Sequence, residues 1–404
     1  MTTAATTTRP VSLASRRQVL QGIGAAGLAS VAGCLAPSTT ASGPGPAASV
    51  EADPVPALDP AGALGADRIA ADPTAIPAPI DRDHAETVSV ELVTEEVVAE
   101  IEPGVTFTYM TFNGQIPGPL VRVREGDTVE LTIHNHEDST MAHNVDFHAT
   151  RGPGGGGEAT LVVPGETARL RFEATYPGAF IYHCAVPNVD YHIAAGMYGV
   201  ILVEPEEGLP EVDHELYFGQ HELYTVGDTG EEGHHDFSFD RMADEDPTYV
   251  ALNGSKAAIT PDGHGSPTVA VGDTVRVIFG CGGPNLPSYL HPIGSVWDEA
   301  WATGSLASDP ELFVETSTVA PGSAFVGTMS FPVPGDVKLV DHALSRVARK
   351  GALAVIHVEG DENPEIFDPD PEFDDDASES GIVDSGFDTG PESAAGNESA
   401  TLED

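Results

Sequence analysis

An internal repeat constrains the fold of this chain more than any other feature of its sequence. Residues 126–129, Gly-Asp-Thr-Val, recur at 272–275, and each copy follows an Asn-Gly pair. Pro-Gly pairs recur with equal spacing, beginning at 164 and 177 in the first copy and at 321 and 334 in the second. The sequence therefore predicts two successive copies of one domain, joined by a connection from about 206 to 247.

The segments between these pairs are short and alternate between apolar and polar residues. Clear examples lie at 121–123, 128–133, 168–172 and 274–279, with Gly, Pro or Asp near their ends. A period of two over such lengths is typical of half-buried strands in an all-β sandwich. Helical periodicity is scarce, and we expect one short helix from 342 to 349. The predicted fold class is all-β, with two tandem Greek-key β-sandwiches.

Composition divides the chain into five predicted segments. Residues 1–34 form an export signal, 35–85 a disordered linker rich in small residues and proline, and 86–205 the first β-domain. Residues 206–358 hold the connection and the second β-domain, and 359–404 form an acidic disordered tail.

The first segment has the pattern of a twin-arginine signal. Arg16 and Arg17 precede a short run of small and apolar residues that ends at residue 33. The run is shorter than the ~20 residues that a membrane-spanning helix needs. Cys34 follows Val-Ala-Gly, which resembles a lipobox, so we expect a lipid on this cysteine. These features predict twin-arginine export and an extracytoplasmic location, with the lipid anchoring the protein to the outer face of the membrane.

The charge of the chain is strongly negative. There are 64 Asp and Glu residues against 17 Lys and Arg residues, which gives a formal net charge of -47. Because no basic patch exists, we expect no nucleic-acid partner. Repulsion among the acids should weaken in salt, since the Debye length falls to roughly 3 Å at 1 M. The composition therefore indicates adaptation to a saline environment.

Four residues of the first copy supply the donor set of a blue-copper site, namely His143, Cys184, His192 and Met197. Such a site needs two imidazoles, a thiolate and a weak axial thioether. The second copy has Ala343 and Ala352 where the first has the cysteine and the methionine. We therefore expect this copper in the first domain only. Cys281 has no evident partner and should be a buried free thiol.

Strand geometry separates a second set of polar side chains. Neighbouring residues in a strand point to opposite faces, so His183 should point out of the domain if Cys184 points into it. Asp146 and His148 share a face. These outward side chains should converge as part of a second metal site. His342, the repeat partner of His183, could complete it from a second domain and leave an open fourth position.

The motifs together resemble those of the copper-containing nitrite reductases. The resemblance covers roughly residues 88–358 and depends on His-Asn-Val-Asp-Phe-His at 143–148, Tyr-His-Cys at 182–184, Asp-Phe-Ser-Phe at 236–239, Phe-Gly-Cys-Gly-Gly-Pro-Asn at 279–285, Leu-His-Pro-Ile-Gly at 290–294 and Asp-His-Ala-Leu at 341–344. It implies cupredoxin-like domains in a homotrimer. It also implies reduction of nitrite to nitric oxide and water, with a blue-copper protein or a cytochrome c as the electron donor.

The same resemblance implies a role for each site residue. Type-1 copper would be bound by His143, Cys184, His192 and Met197. Type-2 copper would be bound by His148, His183 and His342, the last from a neighbouring subunit. Asp146 and His291 would hold nitrite or water and deliver protons, and Ile293 would shape the pocket above the type-2 copper.

Two alternatives remain from the residues alone. A two-domain multicopper oxidase would need a trinuclear cluster with more histidines and usually a His-Cys-His triplet, whereas Cys184 is followed by Ala185. An electron-carrier cupredoxin with a degenerate second domain would leave Asp146 and the outward histidines without a role. The number of coppers per subunit distinguishes these alternatives from the reductase.

Overall fold

A computed structural model of the chain describes residues 69–372. The predicted signal with Arg16, Arg17 and Cys34, most of the linker and most of the tail lie outside these residues. The described part is almost entirely strands and turns, which confirms the predicted all-β fold class. Within it, no helix is both long and apolar enough to cross a membrane.

Twenty strands and two short α-helices follow one another in the described part. The strands of the first repeat are β1 (Thr87–Glu102), β2 (Val105–Phe112), β3 (Val121–Arg124), β4 (Thr128–Asn135), β5 (Asp146–Phe147), β6 (Thr167–Glu173), β7 (Gly178–His183) and β8 (Tyr198–Glu204). The later strands are β9 (His214–Leu223), β10 (Gly233–His235), β11 (Tyr249–Leu252), β12 (Thr268–Ala270), β13 (Thr274–Gly283), β14 (Ser288–Ile293), β15 (Trp297–Trp301), β16 (Glu311–Val314), β17 (Ser317–Val319), β18 (Ser323–Ser330), β19 (Gly335–Asp341) and β20 (Leu353–Glu359). The α-helices are α1 (Val189–Ala194) and α2 (Phe239–Ala243).

The strands form four sheets, two for each repeat. The first pair has the orders β10-β2-β1-β4-β6 and β3-β8-β7-β5. The second pair has the orders β11-β9-β13-β18-β15-β16 and β12-β20-β19-β14-β17. Strand β4 shows why the sequence folds this way, because it buries every second residue, including Val129, Leu131 and Ile133. The four segments predicted as strands all lie within strands.

The prediction of a helix from 342 to 349 is wrong. A single 3₁₀ turn, Leu344–Arg346, forms there. The carboxylate of Asp341 accepts a hydrogen bond from the amide of Ala343, which fixes the chain in a turn at the end of β19. The segment is too short for an α-helix to form without strong tertiary support. Helices α1 and α2 were not predicted.

The prediction of a disordered linker is wrong for residues 69–85. Ile69 is buried, and the amide of Ala71 donates a hydrogen bond to the carbonyl of Ile116. Further along, the guanidinium of Arg82 pairs with the buried carboxylate of Asp127. An extended segment that packs against an existing surface needs no periodicity of its own, which is why composition alone suggested disorder.

The two repeats share a buried interface. Strand β8 is buried over its whole length, because one face contacts the first core and the other contacts β9 and β13. Beside it, Arg122 of the first repeat pairs with Glu204 and with Glu215 of β9. Glu215 also pairs with Arg276 of β13. These buried charges compensate one another and fix the position of β3 against the second repeat.

Candidate metal centres

A buried cluster of one thiol and two imidazoles lies at the end of β7. The Sγ atom of Cys184 is 3.4 Å from Nδ1 of His192 and 4.0 Å from Nδ1 of His143. All three side chains are fully buried, as is Met197. The amide of Cys184 donates to the carbonyl of Met197. The structure therefore brings together the four residues that the sequence singled out.

Local structure explains how one short segment supplies three of these four residues. Strand β7 ends at His183, and the chain then turns through Asn188, whose φ of 70° is left-handed. The single-turn helix α1 follows and directs His192 inward. The amide of Met197 then donates to the carbonyl of His192, and β8 begins at the next residue.

Burial changes the protonation equilibria of two groups in this cluster. Burial raises the pKa of the Cys184 thiol to about 11 and lowers the pKa of His192 to about 4, so both groups are neutral without a metal. A thiol and two imidazoles whose Nδ1 atoms face one sulfur are a donor set for copper. Binding a metal would displace the thiol proton, and the affinity should therefore increase with pH.

Asn144 supports the cluster from one side. Its Oδ1 atom accepts hydrogen bonds from the amide of Ala185, at 2.6 Å, and from the Cys184 thiol, at 3.5 Å. Its Nδ2 atom donates to the carbonyl of Gly157. Asn144 therefore links the sulfur to the glycine-rich loop that follows β5.

A second cluster, formed by Asp146, His148 and His183, lies on the opposite face of β7. Their ligand atoms lie within 4.8 Å of one another, and the Nε2 atoms of the two histidines are 3.1 Å apart. Asp146 of β5 pairs with His183 of β7 across the sheet. Loss of contact with water and, to a smaller extent, charge repulsion from the His183 ring lower the pKa of His148. The structure thus places the three side chains together, as strand parity predicted.

The two clusters are joined by one peptide bond. His183 and Cys184 are consecutive, and Nδ1 of His183 donates a 2.9 Å hydrogen bond to the carbonyl of Cys184. With the proton on Nδ1, the Nε2 atom of His183 keeps a lone pair that points into the second cluster. This arrangement provides a short covalent route between the two groups of ligands.

The remaining predicted site residues lie on the second repeat. The rings of His291 and His342 are 5.2 Å apart, and Ile293 is 41% exposed nearby on β14. Nδ1 of His291 donates to the carbonyl of Glu315 at 2.8 Å. Among residues 69–372 of one chain, neither group of potential metal ligands includes His342. The second cluster and this histidine pair are therefore separate parts in a single subunit.

Besides Asn144, three contributors to these sites were not predicted. Glu96 accepts a hydrogen bond from Nε2 of His143, Gly155 lies against Asp146, and the carbonyl of Glu315 orients His291. A single glutamate in an acidic chain gives no signal, and neither does a backbone carbonyl. The glycine run at 154–157 was visible in the sequence, but nothing local linked it to Asp146. Cys281 is buried and has no disulfide partner among residues 69–372, in line with the expectation of a buried free thiol.

The fold and the sulfur-containing cluster define a two-domain cupredoxin. A protein-family model described as multicopper oxidase matches residues 94–208. A copper-containing nitrite reductase of Neisseria meningitidis serogroup B is 45% identical over 292 residues, covering 72% of this chain and 74% of the relative. The chain belongs to the copper-containing nitrite reductase family.

Solved structures agree with this assignment. The copper nitrite reductase of Nitrosomonas europaea superposes with a TM-score of 0.61 and 35% identity, covering 69% of this chain and 96% of that one. A multicopper oxidase superposes with a TM-score of 0.59 but only 26% identity, covering 73% and 99%. The fold is thus common to both classes, whereas sequence identity favours the reductases.

Proposed function

We propose that this protein converts nitrite, one electron and two protons into nitric oxide and water. One N–O bond breaks, nitrogen is reduced by one electron, and the departing oxygen takes both protons. The observation that carries the proposal is that Cys184 and His183 join two clusters directly, the inner one with the sulfur of Cys184 and the outer one with the carboxylate of Asp146. An electron carrier needs only the inner cluster.

The residues that would hold copper follow from the two clusters. We assign type-1 copper to His143, Cys184, His192 and Met197, and type-2 copper to His148, His183 and the His342 of a neighbouring subunit. Bound copper would supply the one-electron redox chemistry that no side chain here provides. The electron would then cross from the inner to the outer cluster along the Cys184–His183 peptide.

Asp146 and His291 supply the proton chemistry in this proposal. Asp146 lies within reach of both imidazoles of the outer cluster and can accept a hydrogen bond from protonated nitrite or water. The Nδ1–H group of His291 donates a hydrogen bond to the backbone carbonyl of Glu315, so its Nε2 atom is available to exchange a proton with the substrate. Ile293, exposed beside His291, would limit the space above the metal.

The separation of the ligands supports association of subunits, and the resemblance to copper-containing nitrite reductases implies a homotrimer. His148 and His183 lie on the first repeat, whereas His291 and His342 lie on the second and do not meet them within one chain. Several apolar side chains close in sequence to His291 and His342 are exposed in a single subunit, namely Tyr289, Ile293, Val296 and Leu344. Burying them against a neighbour would also complete the type-2 site. Light scattering in high salt should therefore give three times the chain mass.

The test of the proposal is electron paramagnetic resonance of the copper-loaded protein in high salt, with and without nitrite. We expect two copper signals of similar intensity, of which nitrite changes only the type-2 signal. A single type-1 signal that ignores nitrite, in fully metallated protein, would favour the electron carrier. Four coppers per subunit would favour the multicopper oxidase.

We also propose export by the twin-arginine pathway and lipidation of Cys34. The support is Arg16 and Arg17 before a short apolar run, with a lipobox-like sequence at its end. The electron donor would then be a small extracytoplasmic blue-copper protein or cytochrome c. Cell fractionation checks the anchor, because the Cys34→Ser protein should leave the membrane fraction while the wild-type protein stays in it.

A further inference from the structure

Glu96 occupies an unusual position behind the sulfur-containing cluster. It lies on β1, and its Oε1 atom is 2.9 Å from Nε2 of the fully buried His143. Its Oε2 atom accepts a 2.7 Å hydrogen bond from the amide of Thr140. One carboxylate therefore contacts both the ligand ring and the loop that leads to it.

The two imidazoles of the cluster are supported differently. The Nε2–H group of His143 donates a hydrogen bond to the carboxylate of Glu96. The Nδ1 atom therefore keeps its lone pair, which is directed toward Cys184. In contrast, Nε2 of His192 is buried without a hydrogen-bond partner among the described residues. Among the described residues, a carboxylate thus hydrogen-bonds to the His143 ring and none to Nε2 of His192.

We propose that Glu96 is a positioning residue for the type-1 copper, which fixes the tautomer and orientation of His143 and lowers the reduction potential of the metal. The inference rests on the copper assignment made under the proposed function. Cupric copper carries one more positive charge than cuprous copper, so a nearby carboxylate stabilises the oxidised state more. Because the side chain of Glu96 is only 10% exposed, dissolved salt should screen it weakly.

The proposal predicts a specific effect of Glu96→Gln. This variant removes the charge but keeps an oxygen that can accept the His143 proton. We expect a higher type-1 reduction potential and copper binding that is weaker by about 10- to 100-fold. If the preference of the site for cupric over cuprous copper falls tenfold, the reduction potential rises by about 59 mV. A redox titration followed by visible absorption, in protein with verified type-1 copper, measures the potential.

Glu95→Gln is the matched control. Glu95 is the neighbouring residue on β1, and it points to the opposite face of the strand, near Gly114. The same charge is removed from the protein, but not from beside His143, so the potential should stay close to that of the wild type. A second variant, Glu96→Asp, keeps the charge on a shorter side chain and should lie between the wild type and Glu96→Gln in potential.

The outcomes are distinguishable. The proposal would be overturned if the reduction potential shifted equally in Glu96→Gln and Glu95→Gln, or if it shifted in neither variant. If Glu96→Gln does not bind enough copper to titrate, a Glu96→Asp potential equal to that of the wild type, with equal copper affinity, would overturn it as well. A wild-type protein without type-1 absorption would instead show that the proposed function itself is wrong.

Discussion

At the scale of single residues, a glycine shapes the surroundings of Asp146. Gly155 has a φ of +52°, and a Cβ atom on it would lie 1.7 Å from Oδ1 of Asp146 and 2.9 Å from the carbonyl of Phe147. No side chain fits in that space. The backbone at Gly155 therefore closes over the carboxylate and limits the positions that it can take.

We predict that Gly155→Ala displaces the Asp146 carboxylate and lowers nitrite turnover, by about 100-fold if the displacement is near 1 Å. The type-1 absorption should persist, because the inner cluster does not contact this Cβ position. Gly154→Ala is the control, since Gly154 has the same φ of +52° but nothing within 4 Å of its Cβ position. Both variants share the same backbone strain. Equal turnover in the two variants would contradict the role given to Gly155.

At the scale of elements, strand parity and a fixed turn place the candidate metal-binding side chains. His183 is the last residue of β7 and Cys184 directly follows it, and their side chains point to opposite sides, as the period of two of an extended chain requires. At the end of β19, the buried carboxylate of Asp341 accepts hydrogen bonds from Gln220 and from Arg346. It also accepts one from the amide of Ala343, just after His342. This network fixes the turn that presents the histidine.

We predict that Asp341→Asn loosens this turn and weakens type-2 copper binding by about tenfold, while type-1 copper remains. The substitution leaves the Arg346 guanidinium without its charged partner. Asp336→Asn, on the same strand but exposed and paired with His357, is the control and should keep both coppers. Copper analysis together with the type-2 resonance signal measures the effect. Unchanged type-2 occupancy in Asp341→Asn at limiting copper would contradict the prediction.

At the scale of the whole molecule, the two repeats meet around buried aromatic and ionisable groups. The ring of Tyr198 on β8 lies 5.7 Å from that of His221 on β9. His221 is fully buried, and neither of its ring nitrogens has a hydrogen-bond partner within residues 69–372. Burial lowers its pKa to about 3, so the folded protein keeps this imidazole neutral.

This histidine should make the free energy of unfolding depend on pH. Between about pH 6.5 and the folded-state pKa of about 3, the unfolded chain binds a proton at His221 that the folded chain does not bind. Stability should therefore fall as the pH falls, by about 1.4 kcal/mol for each pH unit from this group. His221→Leu should remove that part of the slope. Urea unfolding from pH 4 to 6 measures the free energy of unfolding at each pH. If this free energy changed with pH equally in the wild type and in His221→Leu, the prediction would be contradicted.

Much of the fold and of the inner cluster could be predicted from the sequence. The repeat at 126–129 and 272–275 indicated two copies of a β-domain, because turn residues at constant spacing fix where strands end. The three candidate ligands from Cys184 to Met197 were visible because one turn and one short helix carry them. Parity alone grouped Asp146 with His148 and His183, and in the ladder between β5 and β7 Asp146 is indeed opposite His183.

Only the tertiary structure decided the contacts between distant segments. Glu96 reaches His143 across 47 residues of chain, and Gly155 meets Asp146 through a loop whose path no local pattern specifies. The packing of residues 69–85 and the burial of His221 likewise depend on surfaces formed elsewhere. The sequence by itself therefore determined which residues are candidates to bind copper, because motif spacing and strand period indicate them. The supporting groups around them were decided by long-range packing, which places side chains together irrespective of their separation along the chain.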